Sequence, residues 1–223
     1  MSSFPALYGP SLPRMDGQKP EKLVIFCHGY GANGQDLLGV GLNWQLEMPT
    51  VAYFSPDAPH KSPGMPGGRQ WWDIAGFSME EQERGVTAAA PILNMFIDQT
   101  LEEAGLDESD LALVGFSQGT MLSLFVGLQR QTQLACIIGY SGAVAAPDLL
   151  AANIKTRPPV LLVHGDMDHM IPPTAMTASE RFLTQNGVDV QTHLSLGMGH
   201  GIGPDGLDLG RDFLSANFGF TKV

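Results

Sequence analysis

Short apolar runs recur along this chain at intervals that leave room for a helix between them, and this pattern narrows the fold more than any other feature. Leu23-Val24-Ile25-Phe26-Cys27 is the first run and Val51-Ala52-Tyr53-Phe54 the second. Leu111 to Val114, Leu134 to Ile138 and Val160 to Val163 follow. Unbroken apolar runs of four or five residues mark strands covered on both faces. Val190-Gln191-Thr192-His193-Leu194 alternates instead, which suits a last strand nearer a sheet edge. Helical stretches fill the gaps: Gln35 to Leu46, Met79 to Ala104, Thr174 to Gln185 and Leu207 to Phe218. The second opens on Glu80-Glu81 and stops before Gly105, as the helix dipole and a glycine cap favour, while Pro91 inside it predicts a kink or break. The alternation implies right-handed βαβ units and an α/β fold: a mainly parallel central sheet with helices on both faces.

The third run leads into Gly115-Phe116-Ser117-Gln118-Gly119, and Thr120 to Val126 then reads as a helix. A G-x-S-x-G at a strand-to-helix turn is a nucleophile elbow. The serine at its tip takes a strained backbone, and glycines on either side avoid clashes of Cβ atoms. The turn lifts the Ser117 hydroxyl clear of the sheet beside a helix N-terminus, where backbone N–H groups can face a developing oxyanion.

A serine hydroxyl needs a base. In folds with this elbow the order is Ser, acid, His, which prunes the six histidines. His28 and His60 precede Ser117, His164 precedes the best acids, His169 adjoins one of them, and His193 lies within a strand. His200 remains, on the glycine-rich loop Gly197-Met198-Gly199-His200-Gly201. The acid should follow the fifth run, where Val163-His164-Gly165 leads into Asp166-Met167-Asp168. One of the two aspartates would orient the imidazole and the other would bond turn N–H groups; spacing does not choose between them. No further ligands at metal-like spacing join Asp166, Asp168 and His169, so no metal and no cofactor are expected. The oxyanion donors should be the backbone N–H of Gln118 and one from the loop His28-Gly29-Tyr30-Gly31, where Tyr30 is the candidate. G-x-x-x-x-G-K-[ST] does not occur in that loop, so it is not a P-loop phosphate cradle.

These residues resemble the carboxylesterase/phospholipase family of α/β-hydrolases, which includes bacterial carboxylesterases and acyl-protein thioesterases. The resemblance is carried by Phe26-Cys27-His28-Gly29-Tyr30-Gly31, Ser55-Pro56-Asp57-Ala58-Pro59, Trp72-Asp73, the elbow, His164-Gly165-Asp166-Met167-Asp168 and Met198-Gly199-His200, in order from about residue 22 to 202. It implies an α/β-hydrolase fold and a triad of Ser117, Asp168 and His200, with the second aspartate catalytic and the amides of Tyr30 and Gln118 forming the oxyanion hole. Two positions depart from the family pattern. Tyr30 stands where leucine is common, which leaves the backbone donor intact, and Thr120 stands where a further small residue is common.

The segment Pro63 to Trp72 should lie beside the site, and Met65, Trp71 and Trp72 would suit an apolar acyl groove; the other reading makes both tryptophans core packing. No insertion resembles a lipase lid, which favours esters of short-to-medium acyl chains. Thioester or lysophospholipid cleavage on the same machinery is the alternative. Dienelactone hydrolysis would need a cysteine nucleophile. A hydrolase fold turned binding protein would usually lose a triad member, and none is missing.

Composition sets the remaining expectations. At 223 residues a single domain, 1–223, is expected. The net charge of −11 argues against nucleic acid or an anionic membrane surface as partner. Cys27 and Cys136 read as small core residues. Met1 to Gly17 shows no secretory pattern and no apolar run approaches a membrane span, so a cytoplasmic location and a small-molecule ester partner are expected. An exposed apolar rim around the groove could support a homodimer.

Overall fold

A computed structural model describes residues 4–76 and 78–220. Its strands are β1 (Ser11–Leu12), β2 (Lys22–Cys27), β3 (Val51–Phe54), β4 (His60–Lys61), β5 (Arg69–Gln70), β6 (Leu111–Phe116), β7 (Cys136–Tyr140), β8 (Val160–Gly165) and β9 (Val190–Ser195). The helices are α1 (Gly34–Gln45), α2 (Met79–Ala104), α3 (Gln118–Gly127), α4 (Pro147–Ala151), α5 (Thr174–Gln185) and α6 (Pro204–Asn217). Seven strands form one sheet in the order β1-β3-β2-β6-β7-β8-β9. Only β1 runs antiparallel to its neighbour; every other pairing in this sheet is parallel. The fold is that of an α/β-hydrolase, with β9 at the edge as its alternation predicts.

The apolar runs are buried on both faces because successive side chains point to opposite sides of a strand. Leu23, Ile25 and Cys27 join Leu111, Leu113, Ile137 and Leu162 in one core, covered by residues of α2, α3 and α5. Val24 and Phe26 join Val114, Ile138 and Val163 in the other, covered by Leu37 and Trp44 of α1 and by Phe213 and Leu214 of α6. Both cysteines are buried and free.

Three local outcomes differ from the sequence expectations. Of the kink or break expected at Pro91, the break does not occur: α2 is one helix from Met79 to Ala104. A proline inside a helix costs about 3 kcal/mol. That cost is set against a long buried face that includes Val86, Ile92, Leu93, Ile97 and Leu101, each side chain contributing roughly 1.5–3 kcal/mol on burial. Strand β7 begins two residues later than the apolar run, at Cys136, where pairing with Ala112 of β6 starts. Helix α6 begins at Pro204 and not at Leu207, since proline suits a first helical turn.

The sheet order places the site. From β2 the chain moves outward to β3, and β6 then returns to the other side of β2. Ligands bind beyond the carboxyl ends of the strands where the order reverses in this way. Cys27 of β2 lies opposite Gly115 of β6, so the His28–Gly34 loop and the Ser117 turn emerge side by side there. No helix among the described residues is long and apolar enough to cross a membrane.

Candidate active site

Ser117 sits between β6 and α3 with φ 54° and ψ −115°, a region that non-glycine residues rarely enter. Its N–H donates to the carbonyl of Tyr140 at 2.8 Å, which ties the strained residue to β7. The glycines are required by contact. A Cβ at position 115 would lie 2.4 Å from the Thr120 nitrogen, and one at 119 would lie 1.8 Å from the Cys27 carbonyl oxygen. Helix α3 can therefore rise from the turn only by passing directly over the end of β2.

The two aspartates after β8 divide the work that spacing left open. Asp166 faces the loop beyond β9, where Oδ1 accepts from the Met198 N–H at 3.2 Å while the Met167 N–H donates to the Met198 carbonyl at 2.9 Å. Asp168 turns inward. Its Oδ1 accepts from the N–H groups of Met170 and Ile171 at 2.9 and 3.0 Å, and its Oδ2 lies 2.7 Å from Nδ1 of His200. Its side chain is wholly buried, whereas that of His200 keeps 15% of its surface exposed. Burial pushes the Asp168 carboxyl upward, but the His200 ring and the Ile171 and Met170 amides outweigh it and hold the group below the usual carboxylate range. The acid is thus an anion at neutral pH, and Nδ1 of His200 must carry a proton to meet it. In the neutral ring the lone pair then lies on Nε2.

Ser117 and His200 line one cavity of about 310 Å³, together with Gly29, Tyr30, Ala32, Met65, Ile74, Phe116, Met170 and Ile171. No carboxylate, lysine or arginine lines it. The Phe116 ring packs against the imidazole, with centroids 5.0 Å apart. Among the described residues no hydrogen bond joins the Ser117 hydroxyl to His200; such contacts are often loose in a resting enzyme and tighten with substrate. The backbone N–H groups of Tyr30 and Gln118 have no acceptor among the described residues; Tyr30 lines this cavity and Gln118 the crevice beside Ser117.

Of the three side chains expected at an acyl groove, Met65 lines the cavity, and Trp72 lines a narrow crevice beside Ser117 and Gln118. Trp71 is core: it is buried, its indole N–H donates to the His28 carbonyl at 2.9 Å, and its backbone N–H donates to Oε1 of Gln118 at 2.9 Å. Nε2 of Gln118 donates to the Trp72 carbonyl at 2.9 Å, so one side chain clamps both tryptophans. His28 is structural as well. Its Nε2 accepts from the Ala58 N–H at 3.0 Å, which leaves Nδ1 to donate to the Gly29 carbonyl at 2.8 Å, and burial holds it neutral by lowering its pKa. Ile74, Phe116, Met170 and Ile171 were not singled out from the sequence, where only their closeness to Trp72, Ser117 and Asp168 marked them.

A larger cleft of about 560 Å³, lined by Asn33, Asp57, Lys61 and Arg69 among others, meets this cavity only at Met65 and holds neither Ser117 nor His200. In the other direction, Ile171 and Met170 lead from the cavity to a second apolar groove of about 320 Å³, beside Met121, Val144 and Pro172.

A strained serine on an elbow, an imidazole backed by a buried carboxylate and two free amides on an α/β-hydrolase sheet define the class of serine hydrolases. Comparison with known proteins narrows the class: the family model described as Phospholipase/Carboxylesterase matches residues 14–218, and the chain belongs to that family, whose general activity is ester hydrolysis. It is 31% identical to an acyl-protein thioesterase 1 of Schizosaccharomyces pombe over 172 residues, 73% of this chain and 75% of that one. It is 27% identical to esterase YpfH of Escherichia coli over 203 residues, 88% of this chain and 85% of that one. The crystal structure of esterase PE8 superposes with a TM-score of 0.91 at 38% identity, covering 95% of this chain and 99% of that one.

Proposed function

We propose that this enzyme is a serine carboxylesterase that cleaves esters of short-to-medium acyl chains through Ser117, His200 and Asp168. The observation that carries the reading is the 2.7 Å contact between His200 and buried Asp168 at the wall of the cavity that Ser117 enters. With the ester carbonyl over Ser117, Nε2 of His200 takes the hydroxyl proton as Oγ attacks. Asp168 stabilises the imidazolium without accepting its proton. The oxygen of the tetrahedral intermediate takes hydrogen bonds from Tyr30 and Gln118. The imidazolium then protonates the departing alcohol, and water repeats the sequence on the acyl-enzyme. Removing one oxyanion donor typically costs about 10²–10³ in turnover. The acyl chain lies against Met65, Ile74 and Ile171, where burial contributes roughly 0.8 kcal/mol per CH₂.

A second reading, thioester or lysophospholipid hydrolysis on the same residues, is favoured by the apolar groove beyond Ile171, which extends the path available to a long chain. The named thioesterase relative points the same way. A p-nitrophenyl ester series from acetate to dodecanoate, run beside matched thioesters on wild type and Ser117→Ala, tests both readings. The carboxylesterase reading expects turnover that peaks below dodecanoate, falls for thioesters and vanishes in the variant. Rates that climb to the longest chain and favour thioesters would select the second reading.

A further inference from the structure

A second imidazole stands behind the proposed acid. His164, the fifth residue of β8, is buried. Its Nε2 lies 2.8 Å from the carbonyl of Ile171 and 3.2 Å from Oδ2 of Asp168, the oxygen that also meets His200. A lone pair at Nε2 would be repelled by both oxygens, so Nε2 carries the ring proton, bonded to the Ile171 carbonyl with the carboxylate alongside. The Ile171 N–H bonds Oδ1 of the same carboxylate at 3.0 Å, and Ile171 lines the cavity beside Ser117. His164, Ile171 and Asp168 thus close a ring of contacts. Rotating the carboxylate away from His200 would break the amide bonds on Oδ1 and abandon the imidazole on Oδ2.

We infer that His164 is a positioning residue, which locks the Asp168–Ile171 turn so that Oδ2 faces His200 while Ile171 holds the cavity wall. This role rests on the triad reading above. It goes further than a well-packed core histidine would, because such a residue would affect stability without acting through Asp168.

Steady-state kcat and KM on p-nitrophenyl butyrate would be measured for wild type, His164→Leu, His164→Gln, Asp168→Asn and the His164→Leu/Asp168→Asn double variant. Thermal melting and fluorophosphonate labelling would run beside them. Leucine should lower kcat about tenfold or more, as loss of a group that orients an active-site ligand does, with a smaller rise in KM as Ile171 loosens in the cavity wall. Glutamine, whose amide nitrogen reaches the place of Nε2, should restore most of the rate. In the Asp168→Asn background the leucine change should cost nothing further, since groups that act as a unit are not additive. An unchanged kcat in His164→Leu, or the same fold loss in both backgrounds, would overturn the role. If His164→Leu does not fold, His164→Gln and His164→Asn decide: the asparagine amide reaches the place of Nδ1, so Gln should be the faster, and equal rates would refute the inference. Full turnover in Asp168→Asn would instead remove the triad assignment, and this role with it.

Discussion

Nδ1 of His200 stands 2.7 Å from Oδ2 of Asp168, while Asp166, two residues earlier, reaches the Met198 N–H of the same loop. One aspartate meets the imidazole and the other secures the loop that carries it. Asp168→Asn should therefore cut kcat by about 10³–10⁴ with the fold intact, because an amide there favours the wrong tautomer. Asp166→Ala should keep most activity and lose about 1 kcal/mol of stability with its loop contact. Parallel ester kinetics and urea titrations check both, and the reverse ranking would exchange the roles.

Gly119 and Gly39 make opposite predictions from the same substitution. A Cβ at 119 would strike the Cys27 carbonyl, backbone on both sides, so Gly119→Ala should cost more than about 3 kcal/mol or prevent folding. Gly39, exposed within α1, has open space where its Cβ would go, and Gly39→Ala should stabilise by about 0.5–1 kcal/mol. Thermal melts of the two variants suffice.

Gln118 acts twice, through its backbone and its side chain. Gln118→Leu keeps the backbone N–H but leaves the Trp71 N–H and Trp72 carbonyl without partners in a buried site. The expected loss is about 1–3 kcal/mol for each orphaned group. KM should rise as well, because Trp72 and Ile74 line the space beside Ser117. Denaturant titration and ester kinetics would show an unchanged KM if the clamp serves stability alone.

Acid stability should fall in two stages. His28 is depressed by burial, so the unfolded chain protonates first and stability declines as pH drops below about 6.5 toward the folded value. Asp168 is also depressed; its contribution is complete above about pH 4 and is lost as pH falls through its folded value. Urea midpoints across this range should show the lower stage flattened in Asp168→Asn and the upper stage unchanged. An identical lower stage in the variant would mean that Asp168 is not held as a buried anion.

The fold was legible where burial is uniform. Strands covered on both faces show as unbroken apolar runs, and the elbow shows as a short motif at a strand-to-helix turn, although Gly119 answers to the distant Cys27 carbonyl and only Gly115 to neighbours within a few residues. Strand β1 and the β4–β5 hairpin, two residues per strand, carry no periodic signal. The choice between Asp166 and Asp168 depends on which backbone amides each carboxylate caps, and that emerges only once the turn has folded. Trp71 shows the limit of composition: an aromatic next to the site suits a groove and a core equally, and its two N–H partners decide for the core. Ile171, an ordinary isoleucine in sequence, gains its place through the turn that Asp168 holds.

The central claim is that Ser117 is a nucleophile activated by His200, and site mapping after fluorophosphonate treatment tests it most directly. A single adduct on Ser117, absent in Ser117→Ala and formed far more slowly in His200→Ala, is the predicted result. An adduct on another serine, or none on the folded protein, would contradict it.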